Sequence, residues 1–229
     1  MKTALAIFVK TPHRSPVKTR LAQTIGAEKA TEFFTLSIKA VEATARQTNT
    51  IPHWAVAEAQ ALDDDIWKAF PTMHTGDGCL GTRQHHIYET LLKSFDQVIL
   101  IGADTPQLTP DIINDAVNAL KDHDIVIGPA NDGGYYLFSG KSSTPLSAWQ
   151  NTPWSTSATR KELEKNLREN NICKHPHYLK HLTDIDTQED LIALTSEMPS
   201  PPSAEQNAIL NLHYTRPHQA HKTSNNADD

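Results

Sequence analysis

QVILIGADTPQLTP, residues 97–110, decides the fold. Its first half is an unbroken apolar run from Val98 to Ile101 that closes on Gly102. The apolar residues are consecutive and do not alternate with polar ones. Such a strand needs cover on both faces, as strands of a parallel sheet do. Its second half turns and starts a helix. Asp104 follows the strand directly, Pro106 stiffens the turn, and Pro110 falls in the first helical turn, where a missing N–H costs little.

The same rhythm recurs on either side. ALAIFV (4–9), HWAVAE (53–58), DIVIGPA (124–130) and YYLFSG (135–140) read as strands. Residues 28–46 read as an amphipathic helix with Phe33, Phe34, Ile38, Val41 and Ala45 on one face. Residues 81–94, carrying Ile87, Leu91 and Leu92, also read as a helix, as do 110–121, 156–170 and 187–196. Alternating strands and helices of this kind predict one α/β domain, with a mostly parallel sheet covered by helices on both faces. Sheets of that class bind ligands outside the carboxyl ends of their strands. The 229 residues suit one sizeable core. The domain is expected over 1–196. MPSPPSAEQN and the apolar-poor stretch after it predict a mostly disordered tail over 197–229.

The formal net charge of −6 argues against bulk attraction to nucleic acid or anionic membrane. No apolar run approaches the roughly 20 residues of a membrane span. The opening MKTALAIFV ends at Lys10 and Pro12 without a small-residue cleavage pattern, so it reads as a first strand and not a leader. Cys79 and Cys173 are too few for a disulfide framework and lack metal spacing. Two free thiols fit a reducing cytoplasm, the expected location.

The strand ends hold the candidate chemistry. After the first strand, KTPHRSPVKTRLA (10–22) gathers Lys10, Lys18 and Arg20 around two prolines. It reads as an anion pocket or as a solvated basic loop. It is neither a Walker loop nor a GxGxxG fingerprint. After 97–102, Asp104 reads as a ligand for Mg²⁺, which prefers oxygen donors, or as a turn residue. After DIVIGPA, Asp132, Gly133 and Gly134 read as a cleft segment approached closely by a ligand, or as a tight turn. In LTDIDTQEDLIAL (182–194), Asp186 reads as a second metal carboxylate, or as part of a helix entry with Glu189 and Asp190 near the positive end. Trp154 reads as core or as cleft lining. His175, His177 and His181 read as surface histidines.

In order along the chain come TP-x4-VKTRLA, G-x-D-x-P-x-L-T, GPA-x-DGGYYL, WST and D-x-DT-x-EDL. Together these strings resemble a domain-of-unknown-function family. That family is often labelled radical-SAM/selenodomain-associated, or arsenosugar-biosynthesis, glycosyltransferase. It belongs to the nucleotide-diphospho-sugar transferase superfamily with the GT-A fold, a Rossmann-like arrangement. The resemblance spans roughly residues 4–195. It implies that Lys10, Lys18, Thr19 and Arg20 hold nucleotide phosphates, with Arg83 retained at the start of the 81–94 helix. It implies Asp104 and Asp186 as ligands of Mg²⁺ or Mn²⁺. It also implies that Asp132, Gly133, Gly134 and Tyr135 line the sugar or acceptor side.

Family members usually carry glycine where this chain has Ser15. Serine does not take positive φ cheaply, so a reshaped phosphate loop is expected.

The resulting expectation is a metal-dependent glycosyltransferase using a nucleotide-sugar and a small-molecule acceptor. Asp132, Lys18 and Arg20 are its catalytic candidates. One alternative is a nucleotidyltransferase joining an NTP to a sugar phosphate or phospho-acid. Another is a catalytically silent nucleotide-binding subunit, which Ser15 supports.

Overall fold

The computed structural model describes residues 1–214. Seven strands form one sheet: β1 (Thr3–Val9), β2 (Ile51–Val56), β3 (Thr72–His74), β4 (Gln97–Gly102), β5 (Ile125–Pro129), β6 (Tyr135–Gly140) and β7 (His177–Tyr178). Their order across the sheet is β3-β2-β1-β4-β6-β5-β7. β6 is antiparallel to β4 and β5, and every other pairing is parallel. Ile7 pairs with both Trp54 and Ile101, which brings the carboxyl ends of β1, β2 and β4 to one rim.

Among the described residues there are eight α-helices: α1 (Thr19–Ile25), α2 (Ala27–Ala45), α3 (Leu80–Leu92), α4 (Pro110–Ala119), α5 (Leu146–Gln150), α6 (Thr159–Glu169), α7 (Gln188–Glu197) and α8 (Ala204–Tyr214). The consecutive apolar residues of β1 and β4 feed both faces of the sheet. Leu5, Ile7, Ile99 and Ile101 pack with Phe34, Ile38 and Val41 of α2 and Ile113 of α4. Ala4, Ala6, Val98 and Leu100 pack with Ile87 and Leu91 of α3 and Leu163 and Leu167 of α6. This is the doubly covered, mostly parallel sheet expected from residues 97–102.

The tail expected over 197–229 departs from that reading. Residues 204–214 form α8, and Ile209 is fully buried in a third cluster with Leu21, Phe33 and Leu194. Composition underestimates this segment because a single turn of apolar contacts, Ile209 and Leu212, is enough to dock a short helix already held by side-chain bonds. Ser203 and Gln206 bond reciprocally at its start, and Gln206 Nε2 donates to the Pro106 carbonyl at 2.9 Å. The rest of that expected tail, 215–229, lies outside the described residues.

Candidate functional site

The carboxyl ends of β1 and β4 open into a cleft of about 580 Å³. Lys10, Lys18, Thr19, Arg20 and Arg83 line it, with Asp104, Asp186 and Tyr135. A second compartment of about 380 Å³ adjoins it, lined by Asp132, Gly134, Tyr135, Trp154 and Asp184. Arg20, Gln84, Tyr135, Ser155 and Asp186 belong to both walls. The structure therefore brings together residues from five separate strings, Gly133 excepted.

The loop after β1 owes its shape to Glu58, just beyond the end of β2. Glu58 Oε2 accepts from both N and Oγ1 of Thr11 at 2.9 Å, and Oε1 accepts from the Ser15 hydroxyl. Burial alone would raise the Glu58 carboxyl. The bonds from Ser15 and Thr11 outweigh it and hold the group below its ordinary value. Arg14 adds an ion pair to Asp64. The reshaping expected from Ser15 does not occur by the expected route. Positive φ falls on His13 (67°) and Lys18 (47°), and Ser15 contributes its hydroxyl.

Lys18 is the hub. A left-handed lysine costs about 1–2 kcal/mol, and here that conformation precedes α1 and accompanies a buried side chain. Its Nζ stands 2.9 Å from Asp104 Oδ1 and 3.1 Å from Asp186 Oδ1, and donates to the Ile185 carbonyl. Burial would pull this ammonium down. The carboxylates of Asp104, Asp184 and Asp186 overcome that and hold it above the usual lysine range. Lys10 and Arg20 are exposed and make no ion pair among the described residues.

Asp184 is the acid that sequence reasoning passed over. Its Oδ1 is buried without a hydrogen-bond partner. Burial, and after it the Asp104 carboxylate, push the group up to about 8 against the pull of Lys18. The folded state takes up a proton that the unfolded chain releases near pH 4, so this group's cost grows from about pH 4 to about pH 8 and is complete above that. In metal-free buffer, Asp184→Asn should gain stability over the wild type as pH rises through that window, by at most about 1.4 kcal/mol per pH unit. Denaturant melts at pH 5, 7 and 9 check this, and a flat difference would refute it.

The acceptor-side residues divide. Asp132 Oδ1 accepts from the Gly134 N–H at 2.8 Å, so the turn reading is right locally, yet the carboxyl still faces the second compartment. Gly133 lines neither compartment. At φ 93° a Cβ there would lie 2.1 Å from the Ser157 carbonyl oxygen, so its absence serves packing against that loop. The Tyr135 hydroxyl donates to Gln84 Oε1. Trp154 lies parallel to Trp149 and donates to the Trp149 carbonyl at 2.8 Å, which fixes it as a rigid wall. His177 packs at a tilt against His123 with ring centroids 4.7 Å apart, away from the cleft residues. Both cysteines are free thiols.

Two signals for the missed residues were present. Asp184 and Asp186 are two apart, a spacing that puts side chains on one side of an extended segment. Glu58 sits where the strand-end rule points for β2.

The donor chemistry fits a hard divalent cation. Two carboxylates already converge on one point, where Lys18 Nζ stands, and a third has an unpartnered buried oxygen. Among the described residues, no group of three or more acids, histidines or cysteines is disposed to hold a metal alone. Mg²⁺ commonly takes one or two carboxylates and completes its shell with substrate phosphates and water.

No helix among the described residues is long and apolar enough to cross a membrane. No curated protein matches the chain. Among solved structures, one from Desulfovibrio desulfuricans G20, provisionally named a nucleotide-diphospho-sugar transferase, superposes with a TM-score of 0.80. It is 24% identical, over 92% of this chain and 95% of its own. A 4-diphosphocytidyl-2C-methyl-D-erythritol synthase from Anaerococcus prevotii DSM 20548 is 11% identical, with a TM-score of 0.57 over 92% and 96% of the two chains. A CMP:2-keto-3-deoxy-manno-octonic acid synthetase complexed with CTP is 13% identical, with a TM-score of 0.52 over 86% and 98%. These likenesses show that the chain shares the fold of these three structures. Residues 38–156 match the family described as "Uncharacterized protein conserved in bacteria (DUF2064)", and the chain belongs to that family.

Proposed function

We propose that the protein is a metal-dependent nucleotide-binding transferase that moves a sugar from a nucleotide-sugar to a small-molecule acceptor. One observation carries the reading: Lys18 gathers Asp104 and Asp186 at the rim where the unpaired Lys10 and Arg20 face a cleft of about 580 Å³. Cations beside carboxylates at the ends of parallel strands suit a diphosphate bound together with a divalent ion. Asp104 and Asp186 would hold Mg²⁺ or Mn²⁺, which when bound supplies charge stabilisation to a leaving diphosphate.

Lys10, Arg20 and Arg83 would bind phosphate oxygens. Thr19, at the start of α1, would add a hydroxyl donor. Lys18 would keep the two acidic loops together and lend its charge as the donor bond breaks. The acceptor would enter the second compartment against Trp154 and Tyr135, near Gly133 and Gly134. Asp132 Oδ2, with Oδ1 engaged by Gly134, would orient the acceptor hydroxyl or take its proton. The reducing cytoplasm suits the two free thiols.

A second reading, nucleotidyl transfer, draws on the number of cations. Lys10, Arg20 and Arg83 beside Lys18 also suit a triphosphate. A thermal-shift panel with Mg²⁺ separates the two. A ligand at about 100 times its Kd stabilises by roughly 2.7 kcal/mol, or about 5–10 °C for a chain of this size. A nucleotide-sugar is expected to give a metal-dependent shift that its NTP does not match, and Asp104→Ala should abolish it. A shift with an NTP alone would favour nucleotidyl transfer, and no shift with either would overturn both.

A further inference from the structure

Three loops carry the acids of the site: 104–107, 131–134 and 182–186. They interlock. The Ile185 N–H donates to the Asp104 carbonyl at 3.3 Å, and the Asn131 N–H donates to the Leu182 carbonyl at 3.1 Å. Thr183 lies where they meet, and its Oγ1 accepts from Asn131 Nδ2 at 2.8 Å. Gln107 Nε2 donates to the Thr183 carbonyl at 2.7 Å.

One carboxylate closes this knot from behind. Glu197, the last residue of α7, accepts from the Thr183 N–H at 2.9 Å, the Thr183 hydroxyl at 2.6 Å and Gln107 Nε2 at 2.9 Å. Gln107 is three residues after Asp104, and Thr183 directly precedes Asp184. We infer that Glu197 is a positioning residue that sets the Asp104 loop against the Asp184/Asp186 loop. Glu197 lines neither compartment and touches no proposed ligand. It acts through Gln107 and Thr183. The catalytic consequence rests on the proposed function, whereas the positioning itself does not.

Geometry also says which replacement works. Both N–H donors share Glu197 Oε2, and only the Thr183 hydroxyl meets Oε1. A glutamine can keep its oxygen at the Oε2 position and turn its amide toward Thr183 Oγ1, which accepts instead of donating. Alanine leaves the Thr183 N–H without its partner and takes one bond each from the Thr183 hydroxyl and Gln107 Nε2, which keeps the Thr183 carbonyl.

The test compares Glu197→Ala with Glu197→Gln in the full chain by amide hydrogen exchange and by Mn²⁺ titration. In the alanine variant, exchange at Ile185 and Asn131 should rise about tenfold or more relative to amides in β1 and β4, since stranding buried donors opens the loops locally. Mn²⁺ affinity should fall by a similar factor. The glutamine variant should restore both to within about threefold.

Uniform acceleration across the sheet would overturn the inference, because that marks a purely structural role. Glutamine behaving like alanine would overturn it too. Should the alanine variant fail to fold, Glu197→Asp, one methylene shorter, draws the carboxylate away from the same donors and must give acceleration at the same amides. Wild-type protein that binds no Mn²⁺ would sink the proposed metal site while the exchange result still decides the positioning.

Discussion

Lys18→Met is expected to lower metal-dependent turnover by about 100- to 1,000-fold, the loss typical of removing one preorganised charge from a reaction centre. Methionine keeps the length and the buried stem but leaves Asp104, Asp184 and Asp186 facing one another without a cation. The stability change has its own signature. Asp104 and Asp186 are partly exposed, so water softens their repulsion. A loss of about 1–3 kcal/mol is expected at pH 8, part of it recovered at pH 5, where protonation of Asp184 relieves the repulsion. Steady-state kinetics on the donor selected by thermal shift, together with melts at the two pH values, read both effects. Full turnover in this variant would remove Lys18 from the centre, and a pH-independent loss of stability would mean the acids are not what it balances.

Ending the chain at Ser196 is the second large effect. By composition the removed segment looks dispensable. In the fold it contains Glu197, which holds Thr183 and Gln107, and α8, which buries Ile209 and braces the Pro106 carbonyl through Gln206. Losing the burial of Ile209 costs about 1.5–3 kcal/mol. The Thr183 N–H left unpaired, with the bonds lost at its hydroxyl and at Gln107, adds about 1–3 kcal/mol. The face of α2 that carries Phe33 would also be opened to water. A total of about 5 kcal/mol lowers Tm by roughly 10–20 °C in a chain of this length. Calorimetry of the truncated and full chains checks it. Unchanged melting would show that α8 and Glu197 contribute nothing to the fold.

Much of the architecture was legible because buried parallel strands leave a local mark. The runs at 4–9, 97–102 and 125–129 are apolar at consecutive positions, and each became a strand covered on both faces. Helix α2 was legible through the spacing of Phe34, Ile38 and Val41. Elements that were missed are short and held by distant partners. β3 and β7 have three and two residues and exist by pairing with β2 and β5. Helix α8 exists by docking on α2.

The site divides the same way. By itself the sequence determined which segments end at the rim of the sheet, because strand ends followed by Lys10, Asp104 or Asp132 are local patterns. Only the tertiary structure decided what those residues do to one another. Lys18 and Asp186 are 168 residues apart and meet at 3.1 Å. The Asp184 carboxyl is pushed up to about 8 because burial takes it from water and the Asp104 carboxylate is near. Ser15, which reads along the chain only as a missing glycine, becomes an anchor because Glu58 arrives from just beyond β2. Charge, burial and hydrogen-bond partnership depend on distance in space, and no spacing along a chain encodes that distance.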